Sequence, residues 1–139
     1  MGETHMKTWE PSFAVCKLIV QSRLVVRGYH AEELLRAATF KIAGPIASLF
    51  GMTGITFRPN HIVLSRELCA SKNKAWQARV IFHELVHIAQ QLDLGLSTFR
   101  ADYIWQWICA GGSYKNLKKY GLEKEAFEQE ENFARISGL

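Results

Sequence analysis

The stretch Ile81-Phe82-His83-Glu84-Leu85-Val86-His87-Ile88-Ala89-Gln90-Gln91 lies inside the strongest helical signal of the chain. Between Asn73 and Leu92, one stripe holds Trp76, Val80, His83 or Glu84, His87 and Gln91. A neighbouring apolar stripe holds Ile81, Leu85, Ile88 and Leu92, and Gly95 follows as a stop. The spacing predicts an amphipathic helix. Helical residues four apart share a face, so His83 and His87 can offer both imidazoles to one divalent ion at about 2 Å. Glu84 then sits beside the ion rather than on it. There it can accept a proton from a water acidified by zinc and later return that proton to a leaving amine. The competing reading is two incidental histidines on a helix. The well-defined helix, its apolar second stripe and the hairpin signal before it favour a metal site.

A catalytic zinc site needs a third protein ligand. No histidine follows His87, which excludes a His-x-x-Gly-x-x-His extension. The ligand is therefore a carboxylate or comes from upstream. Upstream lie His30 and His61, the latter beside a turn and read as a surface residue. Downstream lie Asp93, too close along the helix, Asp102, and the cluster Glu123, Glu125, Glu128, Glu130 and Glu131. That cluster opens a helix, where the dipole favours acidic side chains, so most of its members read as solvated charge.

The segment Ile81–Gln91 closely resembles the helix of the bacterial DUF4157 metallopeptidase-like family, which reads His-Glu-Leu-x-His-x-x-Gln-Gln. The resemblance covers residues 53–92 closely and 113–135 loosely. Such proteins resemble the gluzincins, zinc peptidases in which a later helix supplies a glutamate within a Glu-x-x-Ala-Asp or -Asn pattern. The resemblance implies Zn2+ held by His83, His87 and Glu123, with Glu84 as the catalytic base. In Glu123-Lys124-Glu125-Ala126-Phe127, Glu123 aligns with the ligand and Ala126 with the small residue. Phe127 departs from the polar residue that often orients a zinc-bound histidine, which leaves Glu125 or Glu128 open as the ligand. A strand before the metal helix, here Ile62–Ser65, is expected to pair with an extended protein or peptide substrate. Tyr103, Tyr114 and Tyr120 are candidates to stabilise an oxyanion. A bacterial or phage source is implied.

The expected fold is α+β: a mostly helical, zincin-like domain with a small hairpin before the metal helix. The hairpin is read from the β-prone runs 55–58 and 61–64 around Pro59-Asn60. Helices are expected over 12–22, 31–43, a short piece at 46–50, 98–109 and 122–136. The expected buried side of 98–109 is Phe99, Tyr103, Ile104, Trp107 and Ile108. Trp105 and Trp107, two apart, point to different sides, so one should be core and the other partly exposed. In the last helix Ala126, Phe127, Phe133 and Ala134 are the expected packing residues. Leu24-Val25-Val26 fits a helix or a buried strand.

At 139 residues and 48% apolar, the chain suits one domain over residues 6–139, with residues 1–5 read as an added leader before Met6. The net charge of +4 is mild, and its densest cluster, Lys115, Lys118 and Lys119, reads as a solvated helix face. Nucleic acid is therefore not an expected partner. Cys16, Cys69 and Cys109 form no Cys-x-x-Cys pair and read as buried free thiols of a reducing compartment. No run reaches the roughly 18 apolar residues of a membrane span. Phe13–Val20 carries Lys17 and lacks a small-residue cleavage pattern. The expected location is the cytoplasm, or export as an effector without a classical signal peptide. The leading expectation is a zinc metallopeptidase. The alternatives are a zinc-binding module of toxin, phage or secretion-system type, and a helical domain without metal.

Overall fold

The computed structural model describes residues 6–44 and 53–139. The expected leader at 1–5 and the helical piece at 46–50 lie outside the described residues. The elements, in order, are β1 (Thr8–Trp9), α1 (Phe13–Ser22), β2 (Val25–Val26), β3 (Tyr29–His30), α2 (Ala31–Ala37), β4 (Thr39–Ile42) and β5 (Gly54–Arg58). They continue with β6 (His61–Leu64), α3 (Arg66–Ala70), α4 (Lys74–Leu94), α5 (Leu96–Cys109), α6 (Tyr114–Leu117) and α7 (Gly121–Ser137). The fold is α+β and mostly helical, with a four-stranded sheet ordered β1-β4-β6-β5 and a small β2-β3 ribbon.

The helix starts carry ordinary caps. Ser12, Ser65 and Asn73 each accept a backbone N–H from three residues on, at the heads of α1, α3 and α4. Gly95, at φ +84°, ends α4 and turns the chain directly into α5, a conformation that a side chain would strain. The β5–β6 hairpin forms as expected, with Asn60 at φ +68° in its turn and a register irregularity between Ile55 and Arg58.

Several expectations need correction. Residues 31–43 are not one helix: α2 stops at Ala37, and Thr39–Ile42 becomes β4, parallel to β6 with Phe40 opposite Ile62. The β-branched and aromatic residues there bury alternate side chains against a strand 22 residues away in sequence, and that pairing overrides local helical spacing. The strand expected to meet substrate, Ile62–Ser65, is interior, because β6 lies between β4 and β5. The sheet edge on that side is β5. Helix α4 is not amphipathic. It is buried on all sides, from Gln77 to Gln91 with few breaks, whereas Leu92 is exposed.

In α5 only Phe99 is buried. Ile104, Trp105 and Ile108 are exposed, and Trp107 is half-buried. The cysteines are free, but Cys109 is exposed and the other two are half-buried. Burial raises the Cys69 thiol to about 11.

The core joins the buried face of the sheet (Phe40, Ile62, Leu64) to α1, α2, α4 and α7. Helices α4 and α7 pack closely: Phe82 stacks on Phe133 with ring centroids 4.6 Å apart, and Ala126 is fully buried. No helix among the described residues is long and apolar enough to cross a membrane.

Candidate metal centre

Two elements meet to make the site. Helix α4 carries His83, Glu84 and His87 on one face, all buried. Helix α7 brings Glu123, also buried, in its first turn. The Glu123 carboxylate enters between the two imidazoles: its Oε1 is 2.6 Å from His83 Nε2 and 3.0 Å from His87 Nε2. Ligand atoms of His83, Glu84 and His87 lie within 4.8 Å of one another.

The far side of each imidazole decides the proton arrangement. His83 Nδ1 faces Glu130 Oε1 at 3.1 Å, and that carboxylate is itself held by Arg79. His87 Nδ1 faces the Gln90 side-chain oxygen at 2.8 Å. The Gln90 amide nitrogen donates to the Leu122 carbonyl and to Glu125, which fixes its orientation. Both partners are acceptors, so each Nδ1 carries a hydrogen, and each Nε2 can turn a lone pair inward once it holds no proton of its own. Two imidazole lone pairs and a carboxylate oxygen then converge on one point. Such a cluster is stable only with a cation among its members or with a further proton on each ring. Two histidines and a carboxylate, with Nδ1–H bonds that set the ring orientation, form a donor set that fits zinc.

With no metal, the rings favour that further proton. Burial works against a charged His83, yet its hydrogen bonds to the Glu123 and Glu130 carboxylates and the charge of Glu84 outweigh it and raise the group to about 10. His87 is raised in the same way, chiefly by Glu123 against the opposing effect of burial. Burial would raise Glu123, but the two imidazoles hold it well below the usual carboxylate range.

Glu84 stands beside this cluster. Its Oε1 accepts the Thr56 hydroxyl at 2.8 Å, so β5 holds it. Gly54 approaches so closely that an added Cβ would sit 3.1 Å from Glu84 Cγ and 3.2 Å from its Oε2. The Tyr103 hydroxyl donates to Glu123 Oε2 at 2.6 Å. A cleft of about 440 Å³ opens over the site between β5 and α5, and both Tyr103 and Tyr114 line it. Burial and the nearby carboxylates push both phenols well above their ordinary range. Tyr120 is exposed and is not among the cleft residues.

The other sequence candidates lie elsewhere. Glu125 bonds Gln90 and Arg27, and Arg27 also reaches Asp93. Glu128 is exposed beside Lys124. His30 is exposed at the head of α2, and His61 is exposed against Thr39. Phe127 lies edge-on to His83 with centroids 4.5 Å apart. The polar support absent at that position comes from Glu130, one helical turn further on. Sequence reasoning did not single out Glu130, Gln90 or Thr56. For Glu130 the signal was its spacing of seven from Glu123 on one helix face.

The chain matches no family model, no curated protein and no solved structure.

Proposed function

We propose that this chain is a zinc-dependent peptidase, with zinc held by His83, His87 and Glu123 and with Glu84 as general base. The observation that carries this reading is the convergence of both Nε2 atoms on the Glu123 oxygen, with the Glu84 carboxylate beside them in a cleft. Zinc, when bound, supplies Lewis acidity and lowers the pKa of water to near neutrality.

The remaining work falls to the chain. Glu130 and Gln90 orient the two imidazoles. Thr56 donates to one oxygen of Glu84 and leaves the other available to accept a proton from water and pass it to the leaving amine. Tyr103 steadies Glu123 through its second oxygen. The edge strand β5 forms one wall, where an extended peptide can align by main-chain hydrogen bonds.

The test is cleavage of casein and of quenched fluorogenic peptides by protein of measured zinc content. Glu84→Gln is expected to retain stoichiometric zinc and lose at least about 100-fold in kcat. Full activity in that variant sinks the mechanism, and purified protein without bound zinc sinks the metal assignment.

A narrower version is favoured by the exposed Ile104, Trp105 and Ile108 on α5, of which Ile104 lines the cleft, and these suit docking of one protein target. Stoichiometric zinc without casein cleavage is the result that selects it.

A further inference from the structure

We propose that Arg100 recognises a carboxylate of the substrate, so that the cleft selects peptides that carry an acidic side chain or a free C-terminus next to an apolar residue. The inference rests on the peptidase reading of the cleft and deepens it.

The cleft walls are apolar, formed by Ile55, Phe57, Phe99, Ile104 and Trp107. Its acidic groups, Glu84 and Glu123, belong to the metal centre. Arg100 is the one lysine or arginine among the lining residues. Its Nε and Nη2 donate to the Phe57 carbonyl at 3.3 and 2.9 Å, which ties the guanidinium to the edge strand. A neutral carbonyl leaves the charge uncompensated, and among the described residues no carboxylate lies within ion-pair distance of Arg100. Arg27 and Arg79 differ, since each bonds two carboxylates.

The tether occupies one side of the planar group. The Nη1–Nη2 end remains with two parallel N–H bonds, the arrangement that takes a carboxylate in bidentate fashion. Because the side chain is already held, less rotamer freedom is lost on binding. Position adds the third element. Arg100 lies three residues before Tyr103, on the same face of α5, and the Tyr103 hydroxyl is 2.6 Å from Glu123. Its neighbour Phe99 lies against His87, with ring centroids 6.0 Å apart. A carboxylate at Arg100 therefore falls one helical turn from the metal centre, within a residue or two of a bond lying over it.

The experiment uses zinc-loaded Glu84→Gln protein, so that binding is read without turnover. The probes are peptides built on Ala-Ala-Phe-Leu-Ala-Ala, with Glu or Gln walked through the positions around Phe-Leu and each made as free acid and as amide. At one position, or at the free terminus, the acidic peptide is expected to bind about tenfold or more tightly than its neutral counterpart. Arg100→Met in the same background is expected to abolish that preference, and Arg100→Lys to weaken it. A preference that follows Glu and ignores amidation assigns the carboxylate to a side chain. One that disappears on amidation assigns it to the C-terminus.

Equal binding of acidic and neutral peptides overturns the proposal. So does a preference that survives Arg100→Met with zinc content and melting temperature unchanged. If Arg100→Met does not fold, the Glu-against-Gln comparison in the parent protein decides alone. Failure of unsubstituted protein to cleave any of these peptides sinks the peptidase reading, while the binding preference still decides Arg100.

Discussion

Glu84 is positioned by a hydrogen bond on one oxygen and by the space left beside the other. Thr56 bonds Oε1, and Gly54 leaves just enough room for Oε2. Gly54→Ala forces the glutamate or Leu64 to move by a few tenths of an ångström. It is expected to lower kcat several-fold to about 100-fold, the sensitivity of catalysis to small misplacement. Zinc stoichiometry should stay intact, because no metal-centre imidazole is touched; loss of zinc in that variant refutes this account. Glu130 acts one step further out, through the Nδ1–H of His83. Glu130→Gln is expected to weaken zinc binding by about 10- to 100-fold, read by competition with a chromogenic chelator. Unchanged affinity would show that Arg79 and Glu130 are merely a surface pair.

At the scale of elements, the site depends on α4 and α7 lying side by side. Phe133, fully buried and stacked on Phe82, is the principal apolar link between them. Phe133→Ala is expected to lower folding stability by about 3–5 kcal/mol in denaturant titration. Zinc affinity should fall with it, since Glu123 rides on α7; a destabilised variant with unaltered zinc affinity would uncouple the two. The elements also differ in how legible they were in sequence. Helix α7 carries a clear apolar stripe on a polar background, and the β5–β6 hairpin carries its turn signal in Pro59-Asn60, so both were readable locally. The break between α2 and β4 was not, because Ile42 continues the helical spacing of Leu34, Leu35 and Ala38 as readily as it suits a strand. Only the parallel partner β6 decides between them.

At the scale of the molecule, zinc bound as proposed would cross-link α4 and the start of α7. With free zinc at about a thousand times its Kd, the folded state gains roughly 4 kcal/mol, so a chelator should lower the melting temperature. Without metal, protons must occupy the place of the cation. His83 has its pKa raised in the fold from 6.5 to about 10, so its contribution is fully present below 6.5 and is lost as pH rises through about 10. The metal-free protein is therefore expected to lose melting temperature between pH 7 and 10, whereas the zinc-loaded protein keeps it. Equal pH profiles for the two forms would show that the imidazoles do not carry extra protons in the metal-free state.

The residue types of the candidate centre were legible in the chain because helical geometry is local. A spacing of four sets His83 over His87, and a spacing of one puts Glu84 beside them, whatever the rest of the fold does. An acidic cluster at a helix start pointed to Glu123 without separating it from Glu125 and Glu128. That choice belongs to tertiary packing, which turns Glu123 inward while Arg27 draws Glu125 away. The same holds for the strand facing the cleft, since sheet order depends on the pairing of β4 with β6 across a long stretch of chain and leaves β5, not β6, at the edge. It holds also for α4, whose polar residues look like a solvent face in sequence. In the fold they are buried, and β5 and α7 supply partners to His83, Glu84 and His87, whereas Gln91 Oε1 is buried without one among the described residues.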